Sequence, residues 1–328
     1  MKRLLCALLL LLSGCTGAQA APSPATAHAV AAGQSFLSRY VAADGRVVRR
    51  DQGGDTVSEG QGYAMLVAVA VGDRRRFDLV WSWTSRHLTR PDGLLSYLWR
   101  DGHVADPMSA ADADLQIAWA LALADRRWHC CAAAARRLSA AVLAHELVHD
   151  TSGRPYLAAG PWAVPGRVVE PGYWTLPAYQ RLGALTGDPR WPALTAAARR
   201  ALTTSALPSD WATVVGARVV PRRSPSGAPV ASGFDGQRAV VWLGVAYPAD
   251  ARRWAGLLAD GRTAATRTLT GAPLDSIRSP LAEVAAAAAS GDSSHLQIAA
   301  QDATDYPTYY GTAWAALGEL LLRTDLLR

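Results

Sequence analysis

Three short segments combine carboxylates with serine, glycine and aromatic residues. They are Ser58-Glu59-Gly60-Gln61-Gly62-Tyr63, Ser109-Ala110-Ala111-Asp112-Ala113-Asp114 and Ser232-Gly233-Phe234-Asp235-Gly236-Gln237-Arg238. One protonated and one charged carboxyl group can serve as the general acid and general base of a hydrolysis. Each segment alone is also explained by helix capping, because Ser and Asp favour N-caps and acidic side chains favour the first turn. The glycines beside Gln61 indicate a close approach to the backbone, since glycine is costly inside a helix.

The elements that must position these acids are predicted to be helices. From residue 27 onward, apolar residues recur at spacings of three and four. The predicted helices are 27–41, 60–72, 75–89, 110–127, 132–149, 173–186, 190–203, 235–247, 250–260, 279–290, 292–302 and 309–326. Strand-like stretches are short, at 46–48 and 214–220. About twelve helices without a clear linker predict one all-α domain, and two concentric rings of six helices account for the number.

Composition sets the class of protein. The chain has 328 residues, of which 50% are hydrophobic, so it can bury a sizeable core. Charged residues make up only 18%, which excludes wholesale disorder and a coiled coil. The net charge is +6, but the arginines are scattered among alanines. A nucleic-acid partner needs a clustered basic stripe and is therefore not expected.

The N-terminal segment has the features of an export signal. Residues 1–14 have a basic start, a short apolar run and then small residues, and the run is too short to span a bilayer. The run Leu12-Ser13-Gly14-Cys15 resembles the bacterial lipobox, which makes Cys15 the predicted lipidation site. We expect a flexible tether over 15–28, a catalytic domain over 29–328, and an exported lipoprotein anchored in the periplasm or on the cell surface. The alternative is free secretion after cleavage near residues 18–21.

Two further cysteines, Cys130 and Cys131, are adjacent in a helical stretch. Adjacent cysteines do not bridge easily without strain. We therefore expect them to be buried small hydrophobic residues.

Several motifs together resemble glycoside hydrolase family 8. Ser-Glu-Gly-Gln-Gly-Tyr-Ala-Met at 58–65 resembles the family pattern SEGxGYGM, and 110–121 fits its A-S/T-D-A/G-D helix except that Ala111 occupies the Ser/Thr position. Segment 170–174 resembles the family's NPSY segment, 208–211 its PDW-like segment and 233–238 its YDAIR segment, the last with two substitutions. These matches run in order from about residue 35 to 320.

The resemblance implies an (α/α)6 barrel that hydrolyses β-1,4-linked glycans with inversion. Glu59 would be the general acid and Asp235 the general base, while Asp112 would contact the sugar at the cleavage point and raise the pKa of Glu59. Arg238 could orient Asp235 or Glu59. The implied activity is that of an endo-β-1,4-glucanase, which needs no metal or organic cofactor. The spelling of the first two motifs resembles cellulases that accompany bacterial cellulose synthesis, so a cellulose synthesis or export system is a candidate partner.

Aromatic side chains near the motifs are candidates for sugar binding, because sugar rings present C–H faces that pack on aromatic faces. With Arg238, the predicted substrate-binding residues are Tyr63, Trp99, Trp119, Tyr173, Trp174, Trp211 and Tyr310. Many tryptophans are expected in the core instead, since each one buries a large apolar area.

Other interpretations remain open at this stage. Chitosan and xylan are alternative substrates within the same family. A lipid-anchored glycan-binding protein without catalysis is also possible, because the third motif is altered. The run His145-Glu146-Leu147-Val148-His149 matches the H-E-x-x-H zinc-protease pattern, although that pattern specifies only three positions.

Overall fold

A computed structural model describes residues 23–203, 206–259 and 264–328, and these residues are mainly helical. Within them the helices are α1 (Pro24–Tyr40), α2 (Ser58–Val71), α3 (Arg74–His87), α4 (Ala111–Trp128), α5 (Ala132–His145), α6 (Leu176–Thr186), α7 (Arg190–Leu202), α8 (Phe234–Ala246), α9 (Pro248–Ala251), α10 (Ala255–Leu258), α11 (Pro280–Ser290), α12 (Ser294–Asp305) and α13 (Tyr309–Arg323). Short 3-10 turns lie at Arg50–Gln52, Pro161–Ala163, Pro171–Tyr173 and Arg252–Trp254.

Eight short strands form three small antiparallel sheets within the described residues. They are β1 (Thr56–Val57), β2 (Leu98–Arg100), β3 (His103–Asp106), β4 (Leu147–His149), β5 (Pro155–Leu157), β6 (Val168–Val169), β7 (Ala212–Val215) and β8 (Arg218–Pro221). The sheet orders are β1-β2-β3, β4-β5 and β6-β7-β8. In the first sheet Thr56 pairs with Trp99 and Val57 with Leu98, so β2 fixes the entry into α2.

The helices form two rings. Each member of the inner ring packs on the next, in the order α2, α4, α6, α8, α11 and α13, and α13 closes the ring against α2. The remaining helices pack outside this ring, with α9 and α10 joined by a 3-10 turn into one outer segment. The predicted (α/α)6 barrel is confirmed.

The sequence explains which helices lie inside. Helix α2 is apolar on all sides after its first turn, and all its residues from Gly60 to Ala70 are buried. A helix that is hydrophobic all round can be stable only when it is covered on every face. Helix α3 carries four arginines and several other polar residues instead, and it buries only Phe77, Val80, Trp83 and Thr84. It therefore lies outside, with one face on α2.

Most helix predictions agree with the structure within a few residues at their ends, but the predicted helix 250–260 is divided into α9, a 3-10 turn and α10. The predicted helix 132–149 ends at His145, because residues 147–149 pair with β5 as strand β4. Asp150 closes this hairpin, since its Oδ1 accepts hydrogen bonds from the backbone N–H groups of Ser152 and Arg154. Residues 214–220, predicted as one strand, form the β7-β8 hairpin that turns at Gly216.

Three expectations about the rest of the chain have different outcomes. The signal 1–14 and Cys15 lie outside the described residues. The predicted tether 15–28 is wrong at its end, since α1 begins at Pro24 and Ser23 caps it. The expectation for Cys130 and Cys131 is also wrong: they form a disulfide between adjacent residues, and Cys130 is exposed. In the described part of the chain no helix has the length and apolar character to span a bilayer.

Candidate active site

The three predicted acids meet at one end of the barrel. Glu59, Asp112 and Asp235 occupy the first turns of α2, α4 and α8, which are all inner-ring helices. Because side chains on first turns project beyond the helix N-terminus, parallel inner helices bring such residues together. Backbone N–H groups at helix N-termini favour negative charge, so this end of the barrel suits carboxylates.

The guanidinium of Arg238 joins all three acids. One of its terminal nitrogens, Nη1, donates to Glu59 Oε1 at 2.5 Å and to Asp112 Oδ2 at 2.8 Å. The other, Nη2, donates to Asp235 Oδ1. Arg238 is 3% exposed, and its guanidinium carbon lies 5.1 Å from the centre of the Tyr173 ring. The arrangement is therefore a buried cation with three carboxyl partners.

Tight contacts fix the backbone that carries Glu59. The Gln61 side chain accepts from the backbone N–H of Val47 at 2.6 Å and donates to Thr84 Oγ1 at 2.7 Å, which ties α2 to a loop and to α3. A Cβ placed on Gly60 would lie 2.7 Å from the hydroxyl of Tyr309. The close approach predicted from the glycines is thus made by a tyrosine of α13.

Glu59 has the properties of a general acid. Burial raises its pKa most strongly, Arg238 opposes that effect, and the negative charge of Asp112 adds to it, so that the pKa is about 7. The Tyr63 hydroxyl donates to Glu59 Oε1 at 2.8 Å and holds the carboxyl group in place. A carboxyl group with this pKa keeps its proton in a large fraction of molecules near neutral pH.

Asp112 lies deeper than Glu59. It is 2% exposed, and burial raises its pKa while Arg238 acts in the opposite direction. Asp235 is more accessible, with 24% of its side chain exposed. Asp235 is therefore the carboxylate that water reaches most easily.

A cavity of about 470 Å³ opens above the acids. Its lining contains the three acids, Arg238 and a ring of aromatic side chains. The aromatic members are Tyr97, Tyr173, Phe234, Tyr309 and Tyr310. Phe234 is 47% exposed and meets Tyr310 edge to face with ring centres 5.1 Å apart. The cavity thus combines proton-transfer groups with flat apolar surfaces.

For three residues the predicted sugar-binding role is wrong, because their side chains are buried. Trp119 is 1% exposed and packs edge-on against Trp242, so its face is not available to a ligand. Trp174 is also 1% exposed, and its indole N–H donates to the carbonyl of Leu157. Tyr63 is fully buried and contacts Glu59 and Arg238. All three lie next to motif segments because they support these segments from the core.

The structure brings Tyr173, Tyr310 and Arg238 to the cavity, as predicted for binding residues. Trp99 and Trp211 lie farther out and are half-buried. Trp99, in strand β2, packs on Trp83 and His87. Trp211 pairs with Trp162, with ring centres 6.3 Å apart.

Sequence reasoning missed two residues that lie beside the site, Trp162 and Asp210. Trp162 is 40% exposed, and its indole N–H donates to the carbonyl of Ser109 at the start of the Asp112 segment. Asp210 accepts from the backbone N–H groups of Gly233 and Gly236 at 2.7 and 2.8 Å, so it caps the first turn of α8. Burial raises the pKa of Asp210 to about 6, with Asp235 adding to the effect. The available signal for Asp210 was its position beside Trp211 in the PDW-like segment.

Two more buried acids lie next to the site. Asp114 Oδ1 accepts from the backbone N–H of Leu95 at 2.9 Å, and burial raises the pKa of Asp114 to about 8. Glu170 is 2% exposed, and burial raises the pKa of its carboxyl group well above the ordinary value, with the negative charge of Asp235 acting in the same direction. The sequence marked both as motif members without giving them a role.

The zinc-protease interpretation is wrong. Two zinc-binding histidines of an H-E-x-x-H motif must lie one turn apart on a helix. Here α5 ends at His145, and His149 belongs to β4. Both histidines are exposed, whereas Glu146 is buried and accepts from the Ser109 hydroxyl at 3.2 Å. Across residues 23–203, 206–259 and 264–328, no group of three or more His, Cys, Asp or Glu side chains is suited to a metal ion.

Comparisons with known proteins agree with this geometry. The sequence model of the glycosyl hydrolases family 8 matches residues 7–304. A probable endoglucanase from Novacetimonas hansenii is 32% identical over 67% of this chain and 65% of its own length. An endoglucanase from Cellulomonas uda is 33% identical over 56% of this chain and 55% of its own length. The crystal structure of an endo-β-1,4-glucanase from Acetobacter xylinum superposes with a TM-score of 0.78, at 25% identity, over 89% of this chain and 97% of that one. The chain therefore spans between half and two thirds of the length of these two curated relatives.

Proposed function

We propose that this chain, which belongs to the glycosyl hydrolases family 8, is an inverting endo-β-1,4-glucanase. The observation that carries this proposal is the single buried guanidinium that holds Glu59, Asp112 and Asp235 at the floor of an aromatic-lined cavity. Family membership supplies the reaction class, and the endoglucanase relatives favour β-glucan as the substrate.

In the proposed mechanism Glu59 protonates the oxygen of the leaving sugar. Its pKa of about 7 leaves it protonated in the weakly acidic to neutral range. Asp235 takes a proton from a water molecule that attacks the anomeric carbon from the opposite face of the sugar. Inversion requires room for that water, which corresponds to a separation of about 6.5–9.5 Å between the two carboxyl groups. Arg238 holds both acids beside the cavity, because it binds them through different nitrogens.

Asp112 and Tyr173 complete the proposed reaction centre. Asp112 shares Nη1 of Arg238 with Glu59, and it lines the cavity where the cleaved sugar would bind. Its negative charge helps to keep Glu59 protonated. The Tyr173 ring lies against Arg238 and faces the same cavity. A ring in this place can pack on the sugar while its hydroxyl binds the sugar or the attacking water.

The test is release of reducing ends from carboxymethyl cellulose, barley β-glucan, chitosan and xylan. We expect activity on the first two, loss of that activity in Glu59→Gln, and product of inverted anomeric configuration by NMR. The matched control is Glu283→Gln, which alters another buried glutamate of an inner helix that is bound to His295 instead of the site. Activity only on chitosan or xylan would show that one of these glycans, instead of β-glucan, is the substrate. Activity that survives in Glu59→Gln would refute the assignment of Glu59 as the general acid. Binding without hydrolysis would indicate a non-catalytic glycan-binding protein.

We further propose that the protein is exported, carries a lipid on Cys15 and forms one catalytic domain that begins with α1 at Pro24. The support is the basic and apolar start of the chain followed by Leu-Ser-Gly-Cys. Lipid chains on Cys15 would hold the enzyme at a membrane, where it could act on glucan leaving a cellulose synthesis or export system. Labelling with a fatty-acid analogue should mark the wild type and not Cys15→Ser. Equal labelling of both, or release of both into the medium, would favour free secretion.

A further inference from the structure

Helix α1 enters the barrel at the end that lies opposite the catalytic acids. Tyr40, the last residue of α1, meets Tyr309 at the start of α13 with ring centres 5.8 Å apart, and Tyr309 lines the cavity. His28, near the start of α1, lies 3.8 Å from Glu319, near the end of α13. Because a helix rises about 1.5 Å per residue, the 15 residues of α13 separate the two ends by about 22 Å.

This far end of the barrel, which we call the entry end, consists of the last turns of the inner helices and the loops that follow them. Arg126 and Arg127 lie in the last turn of α4, and Arg75 lies in the first turn of α3. A Cβ placed on Gly72 would lie 2.6 Å from Nη2 of Arg127, so that Arg127 contacts the loop leading into α3. Within residues 23–203, 206–259 and 264–328, none of these three arginines forms an ion pair.

Helix stability explains only some of these charges. Arg126 and Arg127 suit the negative end of the dipole of α4, at its C-terminus. Arg74 and Arg75 occupy the first turn of α3, where the helix dipole disfavours cations. Arg74 is paired with Asp78, whereas Arg75 is exposed and has no such partner in the described part of the chain. The entry end therefore presents positive charge that the fold itself does not use.

A cavity of about 310 Å³ adds a further arginine to this surface. Its lining includes Arg181 and Arg328, together with the apolar side chains of Val245 and Leu327. Arg181 is half-buried, and among the described residues it has neither a hydrogen bond nor an ion pair. Burial lowers the pKa of Arg181, and the positive charge of Arg126 acts in the same direction. An anion bound here would stabilise both cations, and the apolar lining would cover the carbon atoms attached to that anion.

We propose that the entry end binds the headgroups of anionic phospholipids, so that the cavity with the acids faces away from the membrane. The arginines that would contact the headgroups are Arg75, Arg126, Arg127 and Arg181. Segment 15–23 can span at most about 30 Å, so a lipid on Cys15 would hold this end of the barrel close to the membrane. The anchor in this argument rests on the proposed function, whereas the headgroup surface can be tested without it. Glucan would then be cleaved on the side of the enzyme that is farthest from the membrane.

Binding to vesicles tests the surface in the absence of the anchor. The full chain carrying Cys15→Ser is sedimented with vesicles of phosphatidylcholine, or of an equal mixture of phosphatidylcholine and phosphatidylglycerol. We expect binding to the mixed vesicles that weakens as salt is added, and little binding to phosphatidylcholine alone. Arg75→Gln combined with Arg126→Gln should weaken binding about 25-fold, because each arginine near an anionic leaflet contributes about fivefold.

The matched control removes the same charge from the opposite end. Arg222 and Arg223 precede α8, and the backbone N–H of Arg222 donates to the carbonyl of Trp211, next to the residue that caps α8. Arg222→Gln combined with Arg223→Gln should change vesicle binding less than about twofold, since charges this far from the membrane are screened. Equal losses in the two double variants would show attraction by net charge alone and would overturn the proposed surface. Binding that does not depend on phosphatidylglycerol would overturn it as well.

Hydrolysis in the presence of vesicles tests the orientation. With the Cys15→Ser chain fully bound to the mixed vesicles, the rate on barley β-glucan should equal the rate without vesicles, because the cavity stays open to solvent. Strong inhibition by the vesicles would mean that the cavity end faces the lipid and would refute the proposed orientation. If the chain hydrolyses no glycan, or if Cys15 carries no lipid, the proposed function fails in that part. The vesicle measurement still decides whether the entry end binds anionic headgroups.

Discussion

Replacement of Arg238 by methionine should destabilise the protein in a pH-dependent way. Methionine keeps much of the apolar volume of the side chain but removes the cation that three carboxyl groups share. Arg238 is 3% exposed, so solvent cannot take the place of its charge. Removal of one partner from a buried ion pair typically costs about 3–5 kcal/mol, because a buried charge is left without compensation. We expect a loss of unfolding free energy in this range at pH 8.

The loss should be smaller at pH 5. Burial already raises the pKa values of Glu59 and Asp112 in the wild type, and Arg238 opposes that rise for both groups. Without Arg238 both folded pKa values move higher. Their stabilising contribution is fully present below the unfolded pKa values of about 4 and is lost as the pH rises through the folded values. Each further unit of rise adds about 1.4 kcal/mol to the difference between the two pH values.

Urea unfolding of wild type and Arg238→Met at pH 5 and pH 8 measures this difference. The control is Arg74→Met, which breaks an ion pair with Asp78 in which both side chains are 56% exposed. An exposed pair contributes about 0–1 kcal/mol, and the control should lose no more than that at either pH. A loss in Arg238→Met that is the same at both pH values, or no larger than in the control, would refute the proposed charge balance.

Three further results are expected. In wild type, kcat/KM should fall as the pH rises through about 7, because burial raises the pKa of the acid Glu59 to that value; a profile that stays flat to pH 9 would contradict this. Trp162→Ala should raise KM roughly tenfold at similar kcat, because the exposed ring offers a face to sugar. Trp119→Ala should instead lower the free energy of unfolding by about 3–5 kcal/mol, because Trp119 is buried. The reversed pattern in kinetics and urea unfolding would count against both assignments. Asp114→Asn should flatten the pH dependence of the melting temperature between pH 5 and 9. The pKa of Asp114 is raised to about 8, and its stabilising contribution is lost as the pH rises through that value. Parallel curves of melting temperature against pH for wild type and variant would exclude this role.

Much of the fold could be predicted from the sequence because the helices follow local rules. The inner helices show continuous apolar runs, such as 63–71 in α2. The end of the outer helix α5 was harder to predict, because strand pairing decided it. Residues 147–149 have a helical pattern, yet they pair with residues 155–157 that come later in the chain. Such a pairing depends on tertiary context that a local window does not contain.

The site was predictable where motif and first turn coincide. Glu59, Asp112 and Asp235 come together as the motif resemblance implied. The aromatic residues were less predictable, because a motif segment has a buried face and an exposed face. Trp174 lies next to Tyr173 in sequence, yet only Tyr173 reaches the cavity. The sequence could not assign these faces, since each one depends on which neighbouring helix covers it.

The ring arrangement of the helices also brings the first and last helices of the chain together. Helix α1 packs on α13, and His28 near the start of α1 lies 3.8 Å from Glu319 near the end of α13. The first and last helices are therefore antiparallel neighbours. A short linker between them could join the ends, and a new start could be opened in the exposed loop 222–229, which follows β8. Chains with adjacent ends generally tolerate such circular permutation. The barrel thus has the closed connectivity of a ring, and the catalytic end can be kept intact while the order of its helices in the chain is changed.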